Sequence, residues 1–154
     1  MAWFSFPSPL GDITVFEDDN TVIALEWGDV EGGSETPFLQ NVRDQLDAYF
    51  DGERQDFTLP LAPQGTAFQM KVWDALRSIP YGQTRSYGDL AQELGTSARA
   101  IGLACGRNPL PLLIPCHRVL GSKGQLGGYS GPDGVDGKRN LLILEGVLPA
   151  DPVS

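Results

Sequence analysis

Apolar and polar residues alternate from Gly11 to Gly28 (GDITVFEDDNTVIALEWG), on both sides of Asp19-Asn20. A period of two is the signature of a half-buried strand, and the central polar pair predicts a β-hairpin. The period then changes. From Ser34 to Gly52, Phe38, Val42, Leu46, Tyr49 and Phe50 recur at helical spacing. Thr36 can cap that helix, Pro37 suits its first turn and Gly52 stops it. The segment Phe57 to Gly65 (FTLPLAPQG) is closed by prolines and glycine. It predicts a short strand followed by a linker, and a boundary dividing the chain into residues 1–63 and 64–154.

Helical signals dominate the second part. Thr66 with Gln69 forms a capping-box pattern before Phe68, Val72, Trp73, Leu76 and Ile79. The run PYGQT (80–84) breaks that helix. Ser86 with Asp89 opens a second one carrying Leu90, Ala91 and Leu94, and Gly95 ends it. Ser97 can cap a third, ARAIGLACG (98–106). Two short helices joined by a tight turn predict a helix-turn-helix. The stretch SKGQLGGYSGPDGVDG (122–137) is too glycine-rich for regular structure. KRNLLILEG (138–146) predicts a last helix that buries Leu141, Leu142 and Leu144.

Composition adds limits. With 154 residues, 41% of them apolar, the chain can bury a core. Its start, MAWFSFPSPL, lacks a basic region and a long apolar run, so no signal peptide is expected. No stretch has the length of a membrane span. Two cysteines make no disulfide framework and point to a reducing cytoplasm. Cys105, Cys116 and His117 lack zinc-type spacing and a fourth ligand, so no metal is expected. The net charge of −9 disfavours a polyanionic partner. The charge is uneven, however. Residues 1–64 hold 13 acidic and 2 basic side chains, whereas residues 65–154 hold 7 and 9. A polyanion would meet the second part.

The candidate chemistry sits in IPCHRVLG (114–121). There Cys116 precedes the only histidine, His117, and then Arg118. A free cysteine in an apolar run is most often a buried structural residue, and Cys105 takes that reading. Cys116 differs because a cation or a paired base beside a thiol lowers its pKa. Neighbours in an extended segment point to opposite faces, so a direct Cys116–His117 hydrogen bond would be strained. A bridging water or a tight turn at Pro115 is needed. From residue types alone, His117 is equally a core histidine held by a backbone carbonyl, and Glu145 is one of 20 acids.

Taken together, NPLPLLIPCHRVLG (108–121), GGYSG (127–131) and LLILEG (141–146) resemble the O6-alkylguanine-DNA alkyltransferases, direct-reversal DNA repair proteins. Asn108, Pro109, Pro111, Pro115, Cys116, His117, Arg118 and Val119 stand as in that family's signature. The likeness runs from about Phe68 to Gly146 and more weakly through the first hairpin and helix. It implies an α+β fold: a ribonuclease H-like domain of antiparallel sheet plus helix, then a mostly helical, winged-helix-like domain with the helix-turn-helix.

The resemblance also implies roles. Cys116 would accept the alkyl group. His117 would take the thiol proton through a water, with Glu145 holding the imidazole. Tyr129 would donate a proton as guanine leaves, and Ser130 would bond near its O6. Asn108 would hold the active-site turn, Arg118 would brace the loop, and Pro111 and Val119 would line the base pocket. Tyr87 would press on the target phosphate and Arg99 would fill the space of the flipped base. The expected protein is a cytoplasmic monomer without cofactor, acting on double-stranded DNA containing O6-alkylguanine. Its thioether product offers water no carbonyl to attack, so it would react once.

Three features depart from the family pattern. GTSAR (95–99) is a short helix-turn-helix turn, Pro132 stands where a second glycine is usual, and residues 1–64 lack the Cys and His of a first-domain zinc site. Two other readings compete. One is a lesion-binding protein that removes nothing, which the presence of Cys116 disfavours. The other is a cysteine hydrolase, which the single histidine beside the cysteine disfavours.

Overall fold

The computed structural model describes residues 1–126 and 134–149, with Val135 described only as backbone. The expected hairpin consists of β2 (Ile13–Asp18) and β3 (Thr21–Trp27), paired antiparallel. Asp19 and Asn20 form its two-residue turn with φ of 52° and 58°. Both angles are positive, as a type I′ turn requires, and Asp and Asn tolerate that region better than most residues. A strand that the alternation does not predict, β1 (Ala2–Phe6), pairs antiparallel with β2 and gives the order β1-β2-β3. Its run AWFSF is apolar at four of its five positions and shows no clean alternation.

Helix α1 (Pro37–Phe50) starts as expected: Thr36 accepts a hydrogen bond from the Leu39 amide at 3.1 Å. Leu39, Val42, Leu46 and Tyr49 are buried beneath it. The proline-rich connection lies along the outer edge of β3. The Val22 amide donates to the Pro60 carbonyl and the Ala62 amide to the Val22 carbonyl, both at 2.9 Å. Further along that edge, the Leu25 amide donates to the Pro109 carbonyl at 2.9 Å. The edge that would otherwise stay unpaired therefore holds the start of the signature segment in place.

Helix α2 (Ala67–Arg77) carries the complete capping box of Thr66 and Gln69. Val72, Trp73, Leu76 and Ile79 are buried, but Phe68 is 38% exposed. It lies on the first turn, in an open surface groove that it lines together with Ala100, Leu103 and Ala104. Helices α3 (Tyr87–Leu94) and α4 (Ala98–Gly106) form the helix-turn-helix. Ser86 and Ser97 cap them, and Gly95 ends α3 in the left-handed conformation at φ 68°. Arg85–Ser86 (β4) pairs in parallel with Val119–Leu120 (β5), tying the entry of α3 to the exit of the Cys116 segment.

The last helix, α5, runs Val135–Leu144. It begins three residues before the predicted start, inside the glycine-rich run, after Gly134 at φ 54°. The inward stripe only becomes visible in the sequence from Lys138 onward, because the first turn offers glycine and aspartate. Leu141 and Leu142 are buried, while Leu144 is only half-buried. One continuous apolar core includes Ile13, Val15, Leu46, Trp73, Leu90, Ile114 and Leu141, so both parts of the chain share it. No helix among the described residues is long and apolar enough to cross a membrane.

Candidate active site

The segment around Cys116 is not extended. Asn108 organises its approach: Oδ1 accepts from the Leu110 amide and Nδ2 donates to the Ile114 carbonyl, each at 2.9 Å. Pro115 then sits at φ −81°, ψ 67°, and the Cys116 amide donates to the Ile114 carbonyl at 2.8 Å. This is an inverse γ-turn, which reverses the chain in three residues. Cys116–Arg118 follows as one 3-10 turn, closed by the Arg118 amide on the Pro115 carbonyl at 3.1 Å. At three residues per turn, successive side chains fan out by a third of a circle. Cys116, His117 and Arg118 thus enter three different parts of the interior, and all are buried.

Glu145, the residue that ends α5, meets two of them. His117 Nε2 lies 2.7 Å from Glu145 Oε2. Arg118 donates from Nε to Oε1 at 2.7 Å and from Nη2 to Oε2 at 3.0 Å, and its Nη1 reaches the Ile79 carbonyl at 2.8 Å. The Tyr49 hydroxyl adds a bond to Oε2 at 2.5 Å. Burial pushes the Glu145 carboxyl up, but the bonds from His117, Arg118 and Tyr49 outweigh it, and the group titrates at about 2. An ionised carboxylate can only accept, so His117 donates Nε2–H, and the neutral ring carries its basic lone pair on Nδ1. Burial holds the imidazole below its ordinary range even against the pull of Glu145, which leaves it neutral near pH 7.

Cys116 is also shifted by burial, which pushes its thiol up; the Asn108 side chain and the charge of Lys138 act in the opposite direction. The resting group is therefore a thiol, and its use as a nucleophile needs a proton acceptor. His117, the adjacent residue, is a neutral base.

At the helix-turn-helix, Ser86, Tyr87, Ala98, Arg99, Gly102 and Ser122 are among the residues that line an open cavity of about 460 Å³. Arg99 is exposed on the first turn of α4. The Tyr87 ring leans over Gly102, where an added Cβ would stand 4.0 Å from the ring. Burial first, and then Cys105 and Cys116, push the Tyr87 hydroxyl up to about 12. Its hydroxyl lies 3.5 Å from Lys138 Nζ. Pro111 and Val119 are buried and do not line this cavity. Tyr129, Ser130 and Pro132 lie outside the described residues.

Two participants escaped the sequence reading. Tyr49 shows in the helical stripe of α1 as a core residue, but a buried tyrosine hydroxyl needs a partner, and that was the available signal. Lys138 falls on the inward stripe of α5, three and four residues before Leu141 and Leu142, and is fully buried. A lysine at such a position breaks the apolar pattern and signals a function or a partner.

The chain is similar to known proteins over nearly its whole length. Residues 1–63 match the family described as the ribonuclease-like domain of 6-O-methylguanine DNA methyltransferase, and residues 67–147 match its DNA binding domain. A methylated-DNA–protein-cysteine methyltransferase of Methanosarcina acetivorans is 42% identical over 95% of this chain and 99% of its own. The constitutive protein of that name from Bacillus subtilis is also 42% identical, over 90% and 91%. In structure, the chain is similar to Mycobacterium tuberculosis OGT in complex with DNA, with a TM-score of 0.82 and 42% identity, covering 97% of this chain and 96% of that one. An O6-methylguanine DNA methyltransferase from Methanococcus jannaschii gives a TM-score of 0.69 at 30% identity, covering 98% and 97%. With a thiol beside a carboxylate-held imidazole and with relatives matched over nearly their whole length, the chain belongs to the methylated-DNA–protein-cysteine methyltransferase family.

Proposed function

We propose that this protein repairs double-stranded DNA by moving a methyl or larger alkyl group from O6 of guanine onto Cys116, once per molecule. The observation that carries this reading is the buried chain Glu145–His117 beside a protonated thiol: an ionised carboxylate fixes the tautomer that leaves Nδ1 basic. The thiol proton passes through a bridging water to His117 Nδ1. The thiolate attacks the alkyl carbon, the Sγ–C bond forms and the C–O6 bond breaks. The electron pair moves to the guanine, and Tyr129 supplies the proton that makes guanine a competent leaving group. Ser130 bonds near O6, while Asn108 holds the thiol turn. Arg118 keeps Glu145 charged.

The target nucleotide has to leave the stack to reach Cys116. Arg99, exposed beside the cavity, fills the vacated position, and Tyr87 at the start of α3 presses on the flanking phosphate. Pro111 and Val119 support the pocket from the core side. In this reading residues 1–63 form a scaffold that positions the signature segment, and residues 64–154 bind DNA and accept the alkyl group. Both cysteines are free thiols, which suits a reducing cytoplasm. The protein works as a monomer, since one chain holds every proposed group.

The test is peptide mass spectrometry after mixing the protein with a duplex containing O6-methylguanine, with Cys116→Ala as control. A single methyl on the Cys116 peptide, stoichiometric and final, is the expected result. Retained preference for the lesion without an adduct would replace transfer by lesion binding.

A further inference from the structure

Lys138 is fully buried, on the helix that packs against the Cys116–Arg118 turn. Among the described residues it makes no ion pair with a carboxylate. Its Nζ lies 3.5 Å from the Tyr87 hydroxyl and 5.6 Å from the centroid of that ring. A buried ammonium without an anion is costly, and proteins keep one where an anion forms. Tyr87 of α3 is its direct contact, and its charge is also felt by Cys105 of α4 and by Cys116 and His117 of the 3-10 turn on which α5 packs. The Tyr87 hydroxyl and the Cys105 thiol, both pushed up to about 12, stay neutral. His117 cannot supply negative charge, and the Glu145 carboxylate is taken up by Arg118, His117 and Tyr49. Among the described residues that interact with Lys138, Cys116 is the one left to become the anion.

We infer that Lys138 is a positioning residue for the transfer reaction: its ammonium is the fixed counter-charge of the Cys116 thiolate. This rests on the proposed use of Cys116 as nucleophile. Burial pulls the Lys138 ammonium toward neutrality, and the thiols pull it back. The proton balance is simple. The Cys116 proton leaves for His117 through water, and Lys138 stays protonated beside the sulfur. When the Sγ–C bond forms, the sulfur becomes a neutral thioether and Lys138 loses its partner.

The experiment is a thiolate titration by absorbance at 240 nm in a Cys105→Ala background, paired with the pH profile of Cys116 alkylation by iodoacetamide. Lys138→Arg keeps the charge and Lys138→Gln removes it, while both disturb the packing. The expected result is that Lys138→Gln moves the thiolate titration and the alkylation profile together to higher pH, by about ten times lower thiolate content at a given pH, and that Lys138→Arg leaves the midpoint near its original place. Equal movement in both variants, or a rate loss of the same factor at every pH, would reduce Lys138 to packing. The unsubstituted protein, labelled at lysine Cε, supplies a check independent of folding in the variants. One of its three lysine carbon signals should shift when Cys116 is alkylated, and three unchanged signals overturn the inference. Neither readout involves DNA, so the inference can fail while transfer from O6-methylguanine stands, and the reverse.

Discussion

The Tyr49 hydroxyl donates to Glu145 Oε2 at 2.5 Å across 96 positions of sequence, joining the last turn of α1 to the end of α5. The acceptor is the same oxygen that holds His117. The first part of the chain therefore bears on the base at the active site as well as on the shared core. Removing the hydroxyl in Tyr49→Phe keeps the ring in its cluster with Phe50, Phe57 and Tyr81. A lost hydrogen bond to a charged, buried acceptor costs about 1.5–3 kcal/mol. Urea unfolding should show a loss in that range with an unchanged slope. No loss would mean that water replaces the hydroxyl without penalty.

The pH dependence of stability follows from Glu145. Its carboxyl titrates at about 2 in the folded protein against an ordinary 4.5. A carboxyl with a lowered folded pKa stabilises fully above its unfolded value, and that contribution fades as pH falls through the folded value. The window here runs from about pH 4.5 down to about pH 2, and the contribution at stake is about 3 kcal/mol. Glu145→Gln should lose this part of the acid dependence. It also leaves Arg118 buried without its anion, which costs about 3–5 kcal/mol at neutral pH. Denaturant titrations of both proteins from pH 7 to pH 3 test the two statements together; parallel curves would remove Glu145 as the source of the acid sensitivity.

Much of the fold could be read because its signals are local. The Asp19-Asn20 turn, the Thr36 cap, the Thr66–Gln69 box and the Gly95 stop each lie within a few residues of the element they define. What escaped is non-local or hidden by composition. β1 is a strand because β2 offers it an edge, and Phe68 stays partly exposed because the groove it lines with Leu103 and Ala104 is open to solvent. The start of α5 is masked by glycines. At the site, the signature residues near Cys116 were visible as residue types, but the arrangement was not. The tight turn at Pro115, one of two options the sequence left open, is an inverse γ-turn, and the 3-10 turn that follows it was not foreseen. That geometry separates three adjacent side chains and lets His117 and Arg118 share Glu145. Arg118 could be read as a brace, yet its partner 27 residues away could not.

Arg99 gives a prediction that separates flipping from chemistry. It is exposed at the cavity and has no hydrogen bond to the buried His117–Glu145 pair among the described residues, so its removal should leave the thiol untouched. Arg99→Ala should slow transfer from a duplex by roughly tenfold or more, where each tenfold corresponds to about 1.4 kcal/mol of barrier. Reaction with the free alkylated base, which needs no flipping, should change by less than about twofold on the same scale. Single-turnover rates with both substrates decide the matter, and equal slowing of the two would remove Arg99 from the flipping step.

Salt dependence tests the charge map. The second part of the chain has a basic surplus of only two side chains, 9 against 7. The structure reduces what DNA can meet further, because Arg118 and Lys138 are both buried and Glu145 is the only buried acid among its described residues. The acidic first part, with 13 acids and 2 bases, repels phosphate at longer range. Each phosphate neutralised by a basic side chain contributes about −0.9 to the slope of log K against log salt. Few exposed cations at the cavity, Arg99 chief among them, can make such contacts. Binding to an undamaged duplex should therefore show a slope no steeper than about −4. The hydrogen-bond donors at the start of α3 and the side chain of Arg99 would then carry more of the affinity than bulk charge does. A slope near −8, on the same scale of phosphate contacts, would mean that DNA reaches cations this arrangement places elsewhere, and that the acidic face lies farther from the duplex than the fold implies.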